Sequence, residues 1–314
     1  LAAAGLTQGT SGHVDTRSYA LFADVSLDII DRMSLSVGGR WTRDEKLGTV
    51  FKANYLTLGS PISGVPSVPV QTLTDYTAEK SFEEFTPRVS LSYKLANDVN
   101  VYAAYSKGFK SGGFDMRGDA LATPATMNGY EPETVTSYEI GLKGLFFDRR
   151  LQIAGALFRA SYKGQQVTTQ QVNPLRTGVV SFIDNVGSST IKGFEIEANA
   201  RLNDEISFNL ALGYTHAKFD EYLAYIPNAS PPPLFVQIDV ADQRQFQNTP
   251  SWNGSFSSVY NRGLGSLGDI TLIGTVSFRS DINLFEISIP AIDQPGYALV
   301  DLDLVWSARE ERHE

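Results

Sequence analysis

Cysteine is absent from the 314 residues. That excludes disulfides, thiolate metal sites and cysteine nucleophiles together. Histidine is scarce: His13, His216 and His313 are the only three and lie far apart in sequence, so no metal or haem centre is expected from them. No run of about 18 apolar residues occurs, which excludes a membrane helix but not a membrane strand, because alternating strands average to low hydropathy. The mean hydropathy is −0.14. Positive charge is also short, with 26 Lys and Arg against 35 Asp and Glu and a net charge of −9. Without a basic stripe, nucleic-acid binding is not expected. The opening LAAAGLTQGT has neither the basic start nor the apolar core of a signal peptide.

What is present is alternation with a period of two, the mark of strands with two unlike faces. In the stretch from Asn100 to Phe147, Val101, Ala103, Tyr105 and Phe109 share one side of a strand. A second strand sets Tyr138, Ile140 and Leu142 against Glu139, Gly141 and Lys143. Between them runs KSGGFDMRGDALATPATMNG, whose four glycines and one proline argue for a loop, and this loop is expected to bulge outward. Similar strands are read at 15–27, 34–46, 85–95, 151–163, 193–202, 206–215, 250–261, 270–281 and 297–307. The pattern Ile206, Phe208, Leu210, Leu212, Tyr214 against Ser207, Asn209, Ala211, Gly213, Thr215 is the clearest. The Pro/Gly/Ser/Thr-rich stretch between the second and third strands is read as a long loop to about Lys80.

Connections alternate short and long, as in an up-and-down barrel with turns at one end and loops at the other. The strands run to about 10–15 residues, beyond the usual globular length of about 5–6 and enough for a tilted membrane crossing of about 9–11. The expected fold is therefore all-β: an antiparallel up-and-down transmembrane β-barrel. About eleven strands with two free edges cannot stand alone in lipid, so the barrel is expected to be partial.

Four strings, in order, carry a resemblance: ALFADVSLDIIDRMSLSVGGRWTRDEK (20–46), YAAYSKGFKSGGFDMR (102–117), YEPETVTSYEIGLKG (130–144) and NVGSSTIKGFEIEANARL (185–202). Together they resemble the barrel of TonB-dependent outer-membrane receptors. The resemblance implies that residues 1–314 are the later part of a barrel of about 22 strands whose lumen is plugged, with the plug outside this sequence. It further implies the outer membrane of a Gram-negative bacterium, contact with outer-membrane lipid, and uptake of a scarce nutrient powered by the TonB complex through the plug. A ferric siderophore is the first ligand class implied; cobalamin and oligosaccharides stay open. A passive porin, or a secreted β-rich binding protein, would share the strand pattern.

No catalytic constellation appears, and no cofactor is expected. Glu195 and Glu197 could suggest a glycosidase pair, but they repeat along one strand face with Arg201. With Arg40, Arg88 and Lys143, and with Asp301 and Asp303, they read as a lumen wall able to contact a plug. Ligand candidates are the loop residues Phe114, Asp115, Arg117, Tyr130, Tyr222 and Tyr225, which combine aromatic faces with charge.

Overall fold

The structure, a computed structural model, describes residues 6–56, 69–172, 179–227 and 235–308. One antiparallel sheet of 12 strands dominates it. The strands are β1 (Leu6–Ile30), β2 (Met33–Leu56), β3 (Pro69–Ala96), β4 (Val99–Lys110), β5 (Glu133–Phe146), β6 (Leu151–Val172), β7 (Val179–Arg201), β8 (Ile206–Pro227), β9 (Phe235–Asp239), β10 (Trp252–Gly263), β11 (Asp269–Arg279) and β12 (Tyr297–Ser307). Neighbours in the chain are neighbours in space, except that β10 follows β8 in the wall and β9 pairs only with the outer end of β8. Among the described residues there is no α-helix, only 3-10 turns. The edges of β1 and β12 are unpaired, so these strands form an open wall.

The register makes one face continuous. Directly paired residues share a face of a sheet, and the pairs Leu21↔Trp41, Trp41↔Phe85, Val37↔Val89, Val89↔Tyr105 and Tyr105↔Tyr138 carry the apolar side from β1 to β5. It continues through Leu157↔Phe194, Ile196↔Leu212, Leu210↔Phe256, Phe256↔Val276 and Val276↔Val300 to β12. Leu21 is 75% exposed and Leu302 76%, an uncovered apolar belt far larger than water-facing surfaces carry. Aromatic contacts edge it: Tyr105 to Tyr138 at 5.3 Å and Tyr214 to Trp252 at 4.7 Å. The opposite face is polar, as in Asp24↔Gly38, Gly38↔Arg88 and Arg88↔Ser106. Phe22, which breaks the alternation of its strand, sits on this polar side opposite Arg40.

One expectation holds for the wall and one needs correction. Among the described residues the wall has the eleven strands expected, and a short twelfth, Phe235–Asp239, forms β9 in the connection between the strands read at 206–215 and 250–261. The strands also run much longer than the sequence suggests. The segment read as a loop to about Lys80 is strand up to Leu56 and again from Pro69; its centre, 57–68, and the proline-rich 228–234 lie outside the described residues. β1 has 25 residues, about 80 Å at ~3.3 Å per residue, whereas crossing lipid takes about 9–11. The physical reason is composition. Beyond the apolar belt, polar residues alternate with polar residues, so the ladder persists while the contrast between faces disappears.

Short turns, such as Asp31–Arg32 between β1 and β2 and Asn97–Asp98 between β3 and β4, all lie at one end of the wall. The long connections and strand extensions gather at the other. Among the described residues, buried side chains such as Val50, Phe82, Phe114, Val186, Phe219 and Tyr222 gather at that end.

Candidate functional site

The 111–132 loop between β4 and β5 does not bulge outward. It folds back along the polar face of the strand extensions, because that face supplies partners for its backbone. Lys46 Nζ donates to the Gly112 carbonyl at 2.6 Å, Lys52 Nζ to the Arg117 carbonyl at 2.9 Å, and Lys80 Nζ to the Asn128 carbonyl at 3.0 Å. The Thr74 hydroxyl donates to the Gly118 carbonyl at 3.1 Å and accepts the Ala120 N–H at 3.0 Å. Lys80 also pairs with Glu131 at 2.5 Å. The two ends of the loop are zipped by reciprocal backbone bonds between Gly113 and Tyr130, at 3.0 and 2.8 Å. Gly129, with φ of 66°, takes a conformation that only glycine adopts at no steric cost.

Four of the candidate ligand residues lie together here. Phe114 is buried against Gly48, with its ring 6.2 Å from that of Tyr76. Asp115 is buried too: its carboxylate accepts the Arg117 N–H, both ends of the Arg117 guanidinium, and the N–H of Ile183 on β7 at 2.7 Å. That hydrogen-bonded pairing raises the pKa of Arg117 above its ordinary value. Burial, and then the Asp115 charge, raise those of Tyr130 and Tyr76. These groups shape the loop, and the Arg117 side chain alone among them is half exposed.

Tyr222 belongs to a second cluster with Val186, Phe219, Ala224, Val240 and Ala241. Its hydroxyl donates to Glu286 at 2.6 Å and the Arg244 guanidinium lies over its ring at 5.4 Å. Burial, then the Glu286 hydrogen bond, push its pKa well up. Asp239, at the end of β9, ties β8 to the 3-10 turn that follows by accepting the Tyr222 and Ala241 N–H groups, each at 2.9 Å, and those bonds lower its pKa. Tyr225 lies three positions beyond Tyr222 on the same strand, so it faces the other way and does not join this cluster.

The lumen-type charges share the polar face. Arg88 pairs with Asp24 at 2.5 Å, Arg40 donates to the Thr42 hydroxyl at 3.1 Å, and Arg201 reaches Asp204 in the turn at 2.7 Å. Lys143 lies 6.0 Å from the Tyr102 ring centre, in one shallow patch with Glu139, Glu195 and Glu197. Asp301 and Asp303 stand opposite Thr275 and Ile273.

The sequence reading missed the residues that hold the 111–132 loop to β6 and β7. Asn185 accepts the Glu131 N–H at 2.7 Å and donates to the carbonyls of Glu131 and Gly164 at 2.9 and 2.7 Å. Gln166 donates to the carbonyls of Lys110, Ser111 and Glu131 at 3.3, 3.0 and 3.0 Å. Asn185 did stand in a quoted string, NVG, but nothing local in that string shows its partners.

A sheet with an exposed apolar belt on one face, a polar opposite face and loops packed over one end defines the wall of an outer-membrane-type barrel. The chain belongs to the TonB-dependent receptor family: the family model described as "TonB dependent receptor-like, beta-barrel" matches residues 2–309. It is 26% identical over 193 residues to the probable TonB-dependent siderophore receptor PiuA of Acinetobacter baumannii, covering 61% of this chain and 22% of that protein. It is 24% identical over 229 residues to the metal-pseudopaline receptor CntO of Pseudomonas aeruginosa, covering 73% and 28%. Its fold is similar to that of the ferric yersiniabactin uptake receptor FyuA from Yersinia pestis, with a TM-score of 0.70 and 17% identity, covering 96% of this chain and 40% of that one. The chain thus spans about a quarter of the length of these curated relatives.

Proposed function

We propose that this chain is a barrel portion, residues 1–314, of an outer-membrane receptor that takes up a scarce nutrient, with a ferric siderophore or similar metal chelate as the ligand. Outer-membrane lipid covers its apolar belt. A plug outside this sequence lies against the polar face near Arg40, Arg88, Lys143, Glu195, Glu197 and Arg201, and the TonB complex acts through that plug. The observation that carries this reading is the packing of the loops over the polar face at one end only, which makes a mouth in front of a polar lumen. Within the mouth Arg117 keeps surface for a ligand, while Phe114, Asp115, Tyr130 and Tyr222 set its shape, and Tyr225, on the other face of β8, is left out of the ligand set. The names of the relatives, siderophore and metal-pseudopaline receptors, support a metal chelate.

The test is uptake of radiolabelled iron as a panel of iron chelates by cells carrying the full receptor, with and without TonB. Uptake of one chelate that requires TonB is the expected result. Uptake that persists without TonB would mean a passive channel, and no uptake of any chelate would turn the search to cobalamin and oligosaccharides.

A further inference from the structure

The 111–132 loop has the attributes of a strap rather than of a surface loop. It is zipped at its base through Gly113 and Tyr130. One flank is held to β2 and β3 by three lysine ammoniums and Thr74. The other is held to β6 and β7 by Asp115, Asn185 and Gln166. The two fastenings differ in kind. The β2–β3 flank adds to its ammoniums the Thr74 hydroxyl and a backbone bond from the Leu121 N–H to the Leu73 carbonyl at 2.9 Å, whereas the β7 flank rests on the side chains of Asp115 and Asn185 alone.

What the strap covers is distinctive. Val50 is fully buried, and it lies in register between Gly12 on β1 and Tyr76 on β3. Met116 packs over Gly12, and Phe114 packs over Gly48 and against Tyr76. The Tyr76 hydroxyl is buried beneath with no hydrogen-bond partner among the described residues. Phe82 is buried against Gly112. Lifted away from this floor, the strap would leave Val50, Tyr76 and Phe82 facing the mouth.

We propose that residues 111–132 are a releasable strap, latched to β7 by Asp115 and Asn185, whose opening uncovers a floor of Val50, Tyr76 and Phe82 on the polar face. Release breaks the Asp115–Ile183 and Asn185–Glu131 bonds and leaves the lysine side as the hinge. β7 joins this latch to the neighbouring cluster, since Ile183 and Asn185 hold the strap while Val186 packs against the Tyr222 group. The strap does not depend on which molecule the receptor transports.

The experiment uses Val50→Cys in the full receptor in intact cells, with labelling by a membrane-impermeant maleimide; this chain has no other cysteine. With the latch intact, labelling is expected to be slow. Adding Asn185→Ala or Asp115→Ala is expected to raise its rate about tenfold or more, the scale of losing a charge-assisted or multiple hydrogen bond. A variant that does not reach the membrane is replaced by Gln166→Ala, which removes the amide whose two N–H groups are shared among three carbonyls on the same flank. In parallel, Gly12→Cys with Met116→Cys, whose Cβ positions are 3.4 Å apart, close to disulfide range, is expected to cross-link readily and to do so more slowly once Asp115 is alanine. Fast labelling of Val50→Cys with the latch intact would overturn the proposal. So would unchanged labelling and cross-linking rates in every assembled latch variant.

Discussion

The carboxylate of Asp115 and the backbone N–H of Ile183, 68 residues apart in sequence, meet at 2.7 Å. β7 and β8 part company above the Gly187↔Tyr222 pair, so the N–H of Ile183 has no strand partner on that side. A carboxylate from a distant loop fills the vacancy. Asp115→Ala is therefore expected to free the Ile183 and Arg117 N–H groups together, at a local cost of about 1.5–3 kcal/mol for hydrogen bonds to a charged group. Hydrogen exchange should show faster exchange at both residues with the transmembrane ladder unchanged. Loss of protection across the whole sheet would mean that Asp115 holds the wall and not only the loop.

The face assignment gives a sharper test. Leu210 lies on the apolar belt between Ala198 and Phe256, while its neighbour Asn209 points to the polar side between Asn199 and Ser257. Leu210→Arg should cost about 2–4 kcal/mol if it faces the bilayer midplane, and Asn209→Arg should be tolerated. Folded yield by heat-modifiable mobility after outer-membrane assembly measures both. Equal yields would sink the assignment.

At Gly187 the constraint is space rather than conformation. A Cβ there would collide with the Glu221 carbonyl oxygen of β8, a backbone atom that cannot swing aside. Gly187→Ala is expected to destabilise the junction by about 1–3 kcal/mol, as overpacking does. The measurement is thermal loss of heat-modifiable mobility compared with Gly265→Ala, where no atom lies near the added group. At Gly265, with φ of 65°, only the conformational penalty applies.

Asp239 predicts a pH dependence for the junction where β9 ends against β8. Its pKa is lowered by the N–H groups of Tyr222 and Ala241. A depressed carboxylate stabilises the folded junction above its unfolded pKa and loses that contribution as pH falls through the folded one. Protection of the Tyr222 and Ala241 amides should therefore stay constant from neutral pH to the ordinary carboxylate range and drop only below it. A drop near neutral pH would assign the effect to another group.

The transmembrane half of this fold was legible because Leu210 and Asn209, or Tyr138 and Glu139, alternate across a boundary between lipid and a polar interior. Once β1 and β2 leave that boundary, runs such as Asp15, Thr16 and Arg17 or Arg43, Asp44 and Glu45 are polar on both faces, and strand and loop look alike. β9 was hidden for a related reason, being five residues paired on one side only. The candidate loop residues were found by type, but their roles were not legible. Whether Asp115 faces a ligand or Ile183 depends on contacts between segments far apart in the chain. The same holds for Lys46 and Gly112, which are 66 residues apart.

One consequence lies in the directions of the two free edges. β1 runs from the loop end to the turn end, and each following wall strand reverses, so the eleventh in the wall order, β12, runs the same way as β1. Two parallel edges cannot be sewn together in an antiparallel cylinder. Nor can a second copy standing upright in the same membrane close the ring, since its β1 would meet this β12 in parallel. What completes the wall must bring an odd number of strands, and a ring of about 22 fits that parity.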